Sequence, residues 1–478
     1  MAIRYAVATG NWSSTATWNG GTLPAPGDDV YSNTFTVTVD TDVNVNILTN
    51  RANTTPVITQ GGKFVPNDGV TITANLEQGS TTNRLIETSV GNISFTVVGN
   101  IQNFIGSQVC VYNSFSTNII YFQGNVIGSS TSGVQGILTN GQLYMTGNIT
   151  GGGGGSAAYG VILTTGGYLE LNGNITGGLA IGLFGVVSST NALIIGDVSN
   201  SGSGTGGSGV ATMNNVTIIG NVYSIGGTSQ YGLDGVTTLN LTGNIICGPG
   251  NSAVGIRNIT TLNMTGNIFG GTGTNTPGAS NISNANVIGN VKGGSCGTLS
   301  AVAGGAGLHC TGTLNLTGNA TGGDANPASQ SNFGQVNAGV IASGGGVITG
   351  NVYGSNTSLQ PGFFGANTST VYINGDVQYS TIGTSPTMGR VYFKNTAPTV
   401  TVTKQNLSQV TLVDPTTTDT PVITDVRDGV SYASGTLTGT LKVPPPAAVS
   451  VGVPTDNTTG TAMISITDMG ALLSSYVV

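Results

Sequence analysis

Carboxylates are the side chains in this sequence that could break a glycosidic bond, because that reaction needs two carboxyl groups about 5 to 9.5 Å apart. The chain has 18 Asp and Glu residues among 478, so carboxylates are sparse. The acids of its most regular part are Glu170, Asp197, Asp234, Asp324 and Asp376. Whether two of them can meet at one substrate depends on the elements that carry them.

Histidine and cysteine offer little further chemistry. His309 is the sole histidine, and we expect a structural rather than a catalytic role for it. The four cysteines, Cys110, Cys247, Cys296 and Cys310, have no metal-ligand spacing. Cys296 and Cys310 could come close across a loop, but we expect reduced, buried thiols. The sequence predicts no metal site and no cofactor.

One short motif recurs throughout the chain. Leu239–Ile245 reads Leu-Asn-Leu-Thr-Gly-Asn-Ile, and Leu262–Ile268 repeats it with one change. Related segments end in Gly-Asn or Gly-Asp pairs whose glycines lie at 99, 124, 147, 173, 196, 220, 243, 266, 289, 318, 350 and 375. A period close to 23 residues, never shorter, indicates stacked structural units.

The motif has the pattern of a half-buried strand followed by a corner. Apolar residues alternate with Asn, Thr and Ser, and Gly then Asn lets the chain turn. Weaker apolar segments precede each strand, so about 23 residues form one coil. We predict an all-β parallel β-helix of about 12 coils, right-handed by the general preference of parallel crossovers. A hairpin meander fits poorly because most copies place Gly before Asn, and a leucine-rich repeat needs a helical segment that the pattern lacks.

This arrangement keeps the acids apart. Relative to the glycine of their own coil, the five acids lie at −3, +1, −9, +6 and +1, and the two that share a position are many coils apart. No pair meets the spacing that glycoside hydrolysis needs. The sequence therefore predicts a protein without enzymatic activity, unless acids from two chains meet in one groove.

Stacked coils would bring the residues after the corner glycines into one column. Side-chain amides that repeat about every 4.8 Å can hydrogen-bond along such a column. We predict a buried Asn ladder, which Asp197 and Asp376 could end or interrupt. Its principal members are Asn148, Asn174, Asn221, Asn244, Asn267 and Asn290.

The residue three after the corner glycine should face outward, because position +2 is the inward Ile or Val. In successive coils this residue is Tyr223, Ile246 and Phe269. A contiguous apolar patch usually marks an interface, although the protein's own loops could also cover it. On the first interpretation the chain forms a homotrimer with these residues as subunit contacts.

The first 90 residues differ from the repeats and contain the only tryptophans, Trp12 and Trp18. We predict that they cap the open end of the solenoid. The segment Arg4-Tyr5, Gly10-Asn11-Trp12, Trp18, Gly20-Gly21, Pro24 and Asp28-Asp29-Val30 resembles the start of a group of bacteriophage and prophage virion proteins. Ala6-Val7-Ala8 stands where that group commonly has an aromatic residue and Gly-Gly.

We divide the chain into a capping or attachment segment (1–90), a β-helix (91–395) and a C-terminal β module (396–478). In the last part, Val426–Leu441 is echoed by Val449–Ala462, and both end in a Thr-Gly-Thr segment. These segments resemble the short modules that close phage fibre and head-associated proteins. Residues 467–473 could form a short terminal helix.

The charge and the apolar content of the sequence limit the classes of partner that the chain can bind. A net charge of −7 without a Lys or Arg cluster argues against nucleic acid, and no apolar run reaches the ~20 residues needed to cross a bilayer. No signal peptide is visible, so we expect assembly in the host cytoplasm.

The resemblance implies a structural spike or decoration subunit on the virion surface, on the capsid in our first interpretation, bound to other virion proteins. The alternative is a tail fibre or tailspike that recognises host surface glycan. A bacterial surface adhesin is a third interpretation.

Overall fold

The computed structural model describes residues 2–354 apart from 53–60, 103–107, 130–133, 154–157, 165, 180–182, 189, 202–206, 227, 251, 274–275, 295–304 and 324–337. Beyond residue 354 it describes 362–365, 370–375, 377–378, 391–393, 399–402, 412–413, 431–432, 437–438, 454–455 and 458–459. Two compact units divide the chain, Met1–Pro415 and Thr416–Val478.

The first unit is a parallel β-solenoid, which confirms the predicted fold class. A typical coil has an upstream strand (Tyr231–Asp234), a long strand (Thr238–Thr242) and, after the Gly-Asn corner, a corner strand (Ile245–Cys247). Each strand pairs in parallel with its counterparts one coil earlier and one coil later, so the strands form three columns.

The upstream column consists of Gly10–Asn11, Thr36–Val39, Lys63–Pro66, Ile86–Glu87, Val111–Asn113, Ile137–Thr139, Val161–Leu163, Phe184–Ser188, Ser208–Ala211, Tyr231–Asp234, Leu308–Cys310, Val340–Ala342, Phe363–Gly365, Val391–Phe393 and Leu412–Val413. The long column consists of Ser94–Val98, Ile119–Gln123, Gln142–Thr146, Tyr168–Asn172, Asn191–Ile195, Asn215–Ile219, Thr238–Thr242, Leu314–Thr317, Gly346–Thr349, Thr370–Asn374 and Thr399–Val402.

The corner column consists of Ile3–Tyr5, Asp29–Tyr31, Ile101–Gln102, Val126–Ile127, Ile149–Thr150, Ile175–Thr176, Val198–Ser199, Val222–Ser224, Ile245–Cys247, Ile268–Phe269, Val291–Lys292, Ala320–Thr321, Val352–Tyr353 and Val377–Gln378. Four strands belong to two columns each. Val254–Thr265 and Ala279–Ile288 run from the upstream to the long column, and Val43–Thr49 and Thr71–Glu77 run from the long to the corner column.

The core follows from the alternation in the sequence. Leu239, Leu241 and Ile245 are buried, whereas Asn240 and Thr242 between them are exposed. Every coil adds such a set, and together they form one apolar interior. Removing apolar area from water in this way contributes about 25 cal/mol per Å².

The corner glycines are required by the stacking itself. Gly243 has φ 147°, in a region that favours glycine, and a Cβ added to it would overlap the carbonyl oxygen of Gly220 in the previous coil. Any other residue at this corner would push neighbouring coils apart.

The solenoid begins earlier than the predicted boundary at residue 90. Ile3 pairs with Asp29, and the same column continues from Asp29 through Ile47 and Leu76 to Ile101. The described residues before position 90 therefore belong to coils of the same stack and not to a separate segment. The boundary was placed too late because these coils lack the Gly-Asn corner.

The two tryptophans fill the interior of the first coil. Trp12 and Trp18 are 4 % and 1 % exposed, and their ring centroids lie 4.8 Å apart in an edge-to-face arrangement. The Trp18 Nε1–H donates to the Trp12 carbonyl oxygen at 2.8 Å, and the Trp12 ring lies 6.2 Å from that of Phe64. Two 3-10 helices, Thr15–Thr17 and Asn19–Gly21, surround Trp18. In the part of the chain described, no helix could cross a membrane.

The predicted start of the C-terminal module at residue 396 also shifts. Thr399–Val402 pairs with Thr370–Asn374, and Leu412–Val413 pairs with Val391–Phe393, so the stack continues to Val413. The second unit contains two antiparallel hairpins, formed by Ser431–Tyr432 with Leu437–Thr438 and by Pro454–Thr455 with Thr458–Thr459. The predicted terminal helix at 467–473 lies outside the described residues.

Candidate functional site

Glu170 has no acidic neighbour in its column. It lies on the outer face of the long column, opposite Tyr144 in one neighbouring coil and Leu193 in the other. Asp324 and Asp376 lie outside the described residues. Among the described acids, Glu170 is therefore not part of a carboxylate pair of the kind that glycoside hydrolysis uses.

Asp234 belongs instead to an ion-pair cluster that the sequence did not reveal. It lies opposite Arg257, which donates from Nε to Oδ1 at 3.1 Å and from Nη2 to Oδ2 at 2.5 Å. The guanidinium also lies over the Tyr231 ring, 3.6 Å from its centroid, and Asn258 Nδ2 donates to Asp234 Oδ1 at 2.8 Å. Burial by itself would lower the pKa of Arg257, but the hydrogen bonds and the charge of Asp234 outweigh burial. The pKa of Arg257 is therefore raised above its ordinary value. This carboxylate is fully engaged in holding two coils together.

The histidine and the described cysteines are largely removed from solvent. His309 is half-buried, and burial lowers its pKa. Cys110, Cys247 and Cys310 are buried and free of disulfides, and burial raises the pKa of Cys247 to about 12. Cys296 lies outside the described residues. Within the described part of the chain, no three His, Cys, Asp or Glu side chains come together as a metal site would need.

The asparagines after the corner glycines stack in register. The Asn244 N–H donates to Asn221 Oδ1 at 2.9 Å, and the Asn267 N–H donates to Asn244 Oδ1 at 2.9 Å. Their Nδ2 groups donate to the same two acceptors at 3.2 and 3.3 Å. The bond from main-chain N–H to Oδ1 recurs along the column through Asn75, Asn100, Asn125, Asn148, Asn174, Asp197, Asn221, Asn267, Asn290, Asn319 and Asn351.

The prediction that this ladder is buried is wrong. Position +1 faces outward at the corner, because the inward position is taken by the apolar residue at +2. Of the six principal members, three are exposed, namely Asn148, Asn174 and Asn290. The other three, Asn221, Asn244 and Asn267, are half-buried.

The ladder also continues through Asp197, where we expected that it could end. The Asp197 N–H donates to Asn174 Oδ1 at 2.8 Å, and Asp197 Oδ1 accepts from the Asn221 N–H at 2.7 Å. The column needs an acceptor oxygen at each step, and a carboxylate supplies one as well as an amide does. Asp376 lies outside the described residues.

A second asparagine ladder lies on the long column and was missed. Its members are Asn240, Asn263, Asn286 and Asn315. From Asn263 onward, the Nδ2 of each donates to the Oδ1 of the member one coil earlier, at 3.0, 2.9 and 2.9 Å in chain order. The signal was present in the sequence, because all four stand three residues before a corner glycine. Reading that outward position down the stack would have found it.

The outward apolar residues of the corner column are neighbours, as their spacing predicted. Tyr223 lies opposite Ile246, and Ile246 lies opposite Phe269. Phe269 is 37 % exposed, and the other two are half-buried. Ser199 and Lys292 occupy the next positions on either side. The described loops thus leave part of this apolar column in contact with solvent.

Sequence reasoning also missed a tyrosine cluster on the long column. Tyr121 lies opposite Tyr144, with ring centroids 5.5 Å apart and planes inclined by 22°. Tyr168 packs edge-on against Tyr144 at 6.2 Å. Gln142 accepts a hydrogen bond from the Tyr144 hydroxyl at 2.9 Å, and Glu170 lies opposite Tyr144. These five residues form the tyrosine cluster, which stands at outward positions of three successive coils.

The tyrosine cluster is open to solvent and carries one negative charge. Tyr121 is 42 % exposed, and its neighbour on the side away from Tyr144 is the small Thr96. Burial raises the pKa of Tyr168, and the charge of Glu170 beside it raises that pKa further. The Glu170 carboxylate has no hydrogen bond or ion pair with the described residues.

Comparison of the chain with protein-family models, curated proteins and solved structures gave no match.

Proposed function

We propose that this protein is a non-enzymatic structural subunit on the surface of a phage particle, a spike or decoration protein of the capsid. The observation that carries the proposal is the parallel stack whose described strands run from Ile3 to Val413. Its coils are joined by hydrogen bonds in all three columns as far as Gln378 and by the Asn ladder as far as Asn351, an arrangement suited to a structural scaffold. The resemblance of the first coil to phage and prophage virion proteins supports the phage context.

The subunit is proposed to act as a homotrimer. The Tyr223, Ile246 and Phe269 side chains form an apolar strip on a chain in which only 6 % of residues are charged. A second and a third copy would cover that strip in a closed cyclic assembly. The tryptophan-filled first coil would then lie nearest the particle, in contact with other virion proteins.

The second candidate is a tail fibre or tailspike that recognises host surface glycan. The tyrosine cluster favours it, because exposed aromatic rings beside polar side chains are suited to binding rather than to packing. Both candidates place the protein on the virion surface.

Electron microscopy of intact particles would test the proposal. Particles from cells that produce this protein would be labelled with gold-conjugated antibody fragments raised against the purified chain. We expect label on the capsid surface. Label confined to the tail would replace the capsid proposal with the second candidate. An absence of label on particles, with strong label on the cell surface, would overturn both and favour an adhesin.

A further inference from the structure

The tyrosine cluster has the features of a ligand site that the fold itself does not need. Tyr121, Tyr144 and Tyr168 stand outside the core, whose inward positions in the same strands are filled by residues such as Leu143 and Leu169. A contiguous group of partly exposed aromatic rings often marks a binding surface. Tyrosine also gives a broad, rigid contact area with a polar edge at low conformational cost.

The rings are arranged as a platform and not as a cage. Tyr121 and Tyr144 stack almost parallel along the coil axis, and Thr96 beyond Tyr121 is too small to cover its outer face. A flat ligand ring can lie there against the face of Tyr121. A cation-binding cage would instead need several ring faces turned toward one point.

Polar groups flank the rings and are free to bind. The hydroxyl of Tyr144 fixes the Gln142 side chain through its oxygen, which leaves the amide NH₂ available as a donor. The half-buried Glu170 carboxylate supplies acceptors on the other side of the rings. Gln123 and Asn172 are exposed at outward positions of the flanking strand ends. Aromatic faces bordered by a few oriented donors and acceptors match a ring that is apolar on its faces and hydroxylated at its edge.

Charge excludes anionic ligands. From residue 85 to residue 256 the sequence contains no Lys or Arg, and Glu170 lies in the middle of that range. A phosphate, sulfate or uronic acid would meet only repulsion at Glu170.

We propose that the tyrosine cluster binds a neutral glycan, with one sugar ring on Tyr121 and further sugars following the coils toward Glu170. The coils repeat about every 4.8 Å, so outward positions of the long column recur at that interval along the stack. The inference does not rest on the location of the protein in a virion.

Binding of free oligosaccharides to the full chain would test this inference. The probes are neutral tetra- to hexasaccharides of hexoses and N-acetylhexosamines, matched uronic-acid oligosaccharides and tetramethylammonium. Saturation-transfer NMR and calorimetry measure binding. We expect at least one neutral oligosaccharide to bind and to be recovered uncleaved. We expect no binding of the uronic-acid oligosaccharides or of tetramethylammonium.

Three variants make the test specific. Tyr121→Ala should weaken binding by about tenfold or more, because truncating an aromatic anchor removes most of its contact. Tyr121→Phe should retain most of the affinity, and Glu170→Gln should weaken it by a smaller factor. The matched control is Tyr159→Ala, which removes an aromatic ring stacked on Phe184 with centroids 5.6 Å apart, at a place outside the tyrosine cluster.

Any one of three results would overturn the inference. These are an absence of binding to every neutral oligosaccharide in the panel, equal affinity of Tyr121→Ala and the wild type, and an equal loss in Tyr159→Ala. Circular dichroism and the unfolding temperature establish that each variant is folded. Failure here would leave the labelling of particles unaffected, so the two proposals fail independently.

Discussion

Two residue types explain why the motif repeats. The glycine lets adjacent corners approach until a Cβ on Gly243 would overlap the backbone of Gly220. The following asparagine uses its Oδ1 to accept the N–H of the equivalent residue in the next coil, which the corner would otherwise leave without a strand partner. Repetition of this pair keeps successive coils in register.

At the residue scale, two substitutions of one ladder asparagine should separate the contribution of its Oδ1 acceptor from that of its Nδ2 donor. Asn244→Leu removes the acceptor for the Asn267 N–H and should lower the free energy of unfolding by about 1 kcal/mol, near the low end for an unpaired group because water reaches this surface. Asn244→Asp keeps the acceptor, as Asp197 does naturally, and should be close to neutral. Chemical denaturation of the two variants measures both effects. Equal losses in the two would contradict the acceptor role.

At the element scale, the first coil depends on one carboxylate. Asp28 is buried, Oδ1 accepts the Ala2 N–H at 2.9 Å, and Oδ2 accepts the Ala25 N–H at 3.1 Å. Arg4 Nε lies 3.5 Å from Oδ2. Burial alone would raise the pKa of Asp28, but these hydrogen bonds and the Arg4 charge outweigh it and hold the pKa below its ordinary value. Asp28 thus fastens the strand that starts the stack.

This gives the first coil a defined dependence on pH. Because the folded pKa is lowered, ionised Asp28 stabilises the fold above the unfolded pKa of about 3.9, and that contribution is lost as pH falls through the folded pKa. Hydrogen exchange at residues 2–6 should therefore accelerate below about pH 4 relative to the central coils. In Asp28→Asn the exchange should already be fast at neutral pH and change less with acid. If exchange at residues 2–6 of the wild type, measured relative to the central coils, did not change from pH 7 to 2, the role of Asp28 would be contradicted.

At the scale of the whole molecule, the solenoid separates two outward surfaces. The strip of Tyr223, Ile246 and Phe269 belongs to the corner column, whereas the tyrosine cluster belongs to the long column of earlier coils. Copies could therefore associate through the first surface without covering the second.

The trimer leads to a direct test by sedimentation velocity. Phe269→Asp puts a charge into the proposed contact and should weaken the trimer while each solenoid stays folded, because the side chain lies outside the core. The matched control is Ile219→Asp, at an exposed residue of the long column, which should leave the trimer unchanged. A monomeric wild type, or a trimer indifferent to Phe269→Asp, would mean that the strip has another purpose.

The sequence by itself determined the stack. In a solenoid, a residue's position within the period sets its column and its distance from the previous coil, so the Gly-Asn repeat alone predicted the parallel pairing of Leu239 with Leu262 and of Ile246 with Phe269. The same logic predicted the register of the Asn ladder. Local pattern and tertiary position coincide in this fold because every coil packs on its sequence neighbour.

The tertiary structure decided what the period does not encode. The strand Val43–Thr49 passes through the corner without Gly-Asn, so only the pairings of Ile3 with Asp29 and of Asp29 with Ile47 show that the stack begins near residue 3. Exposure of the Asn ladder depends on how each corner is oriented relative to the core. The tyrosine cluster depends in part on side-chain packing between coils. Tyr121 and Tyr144 share one position of the repeat, but Tyr168 stands at another and contacts Tyr144 only because the two rings pack edge to face.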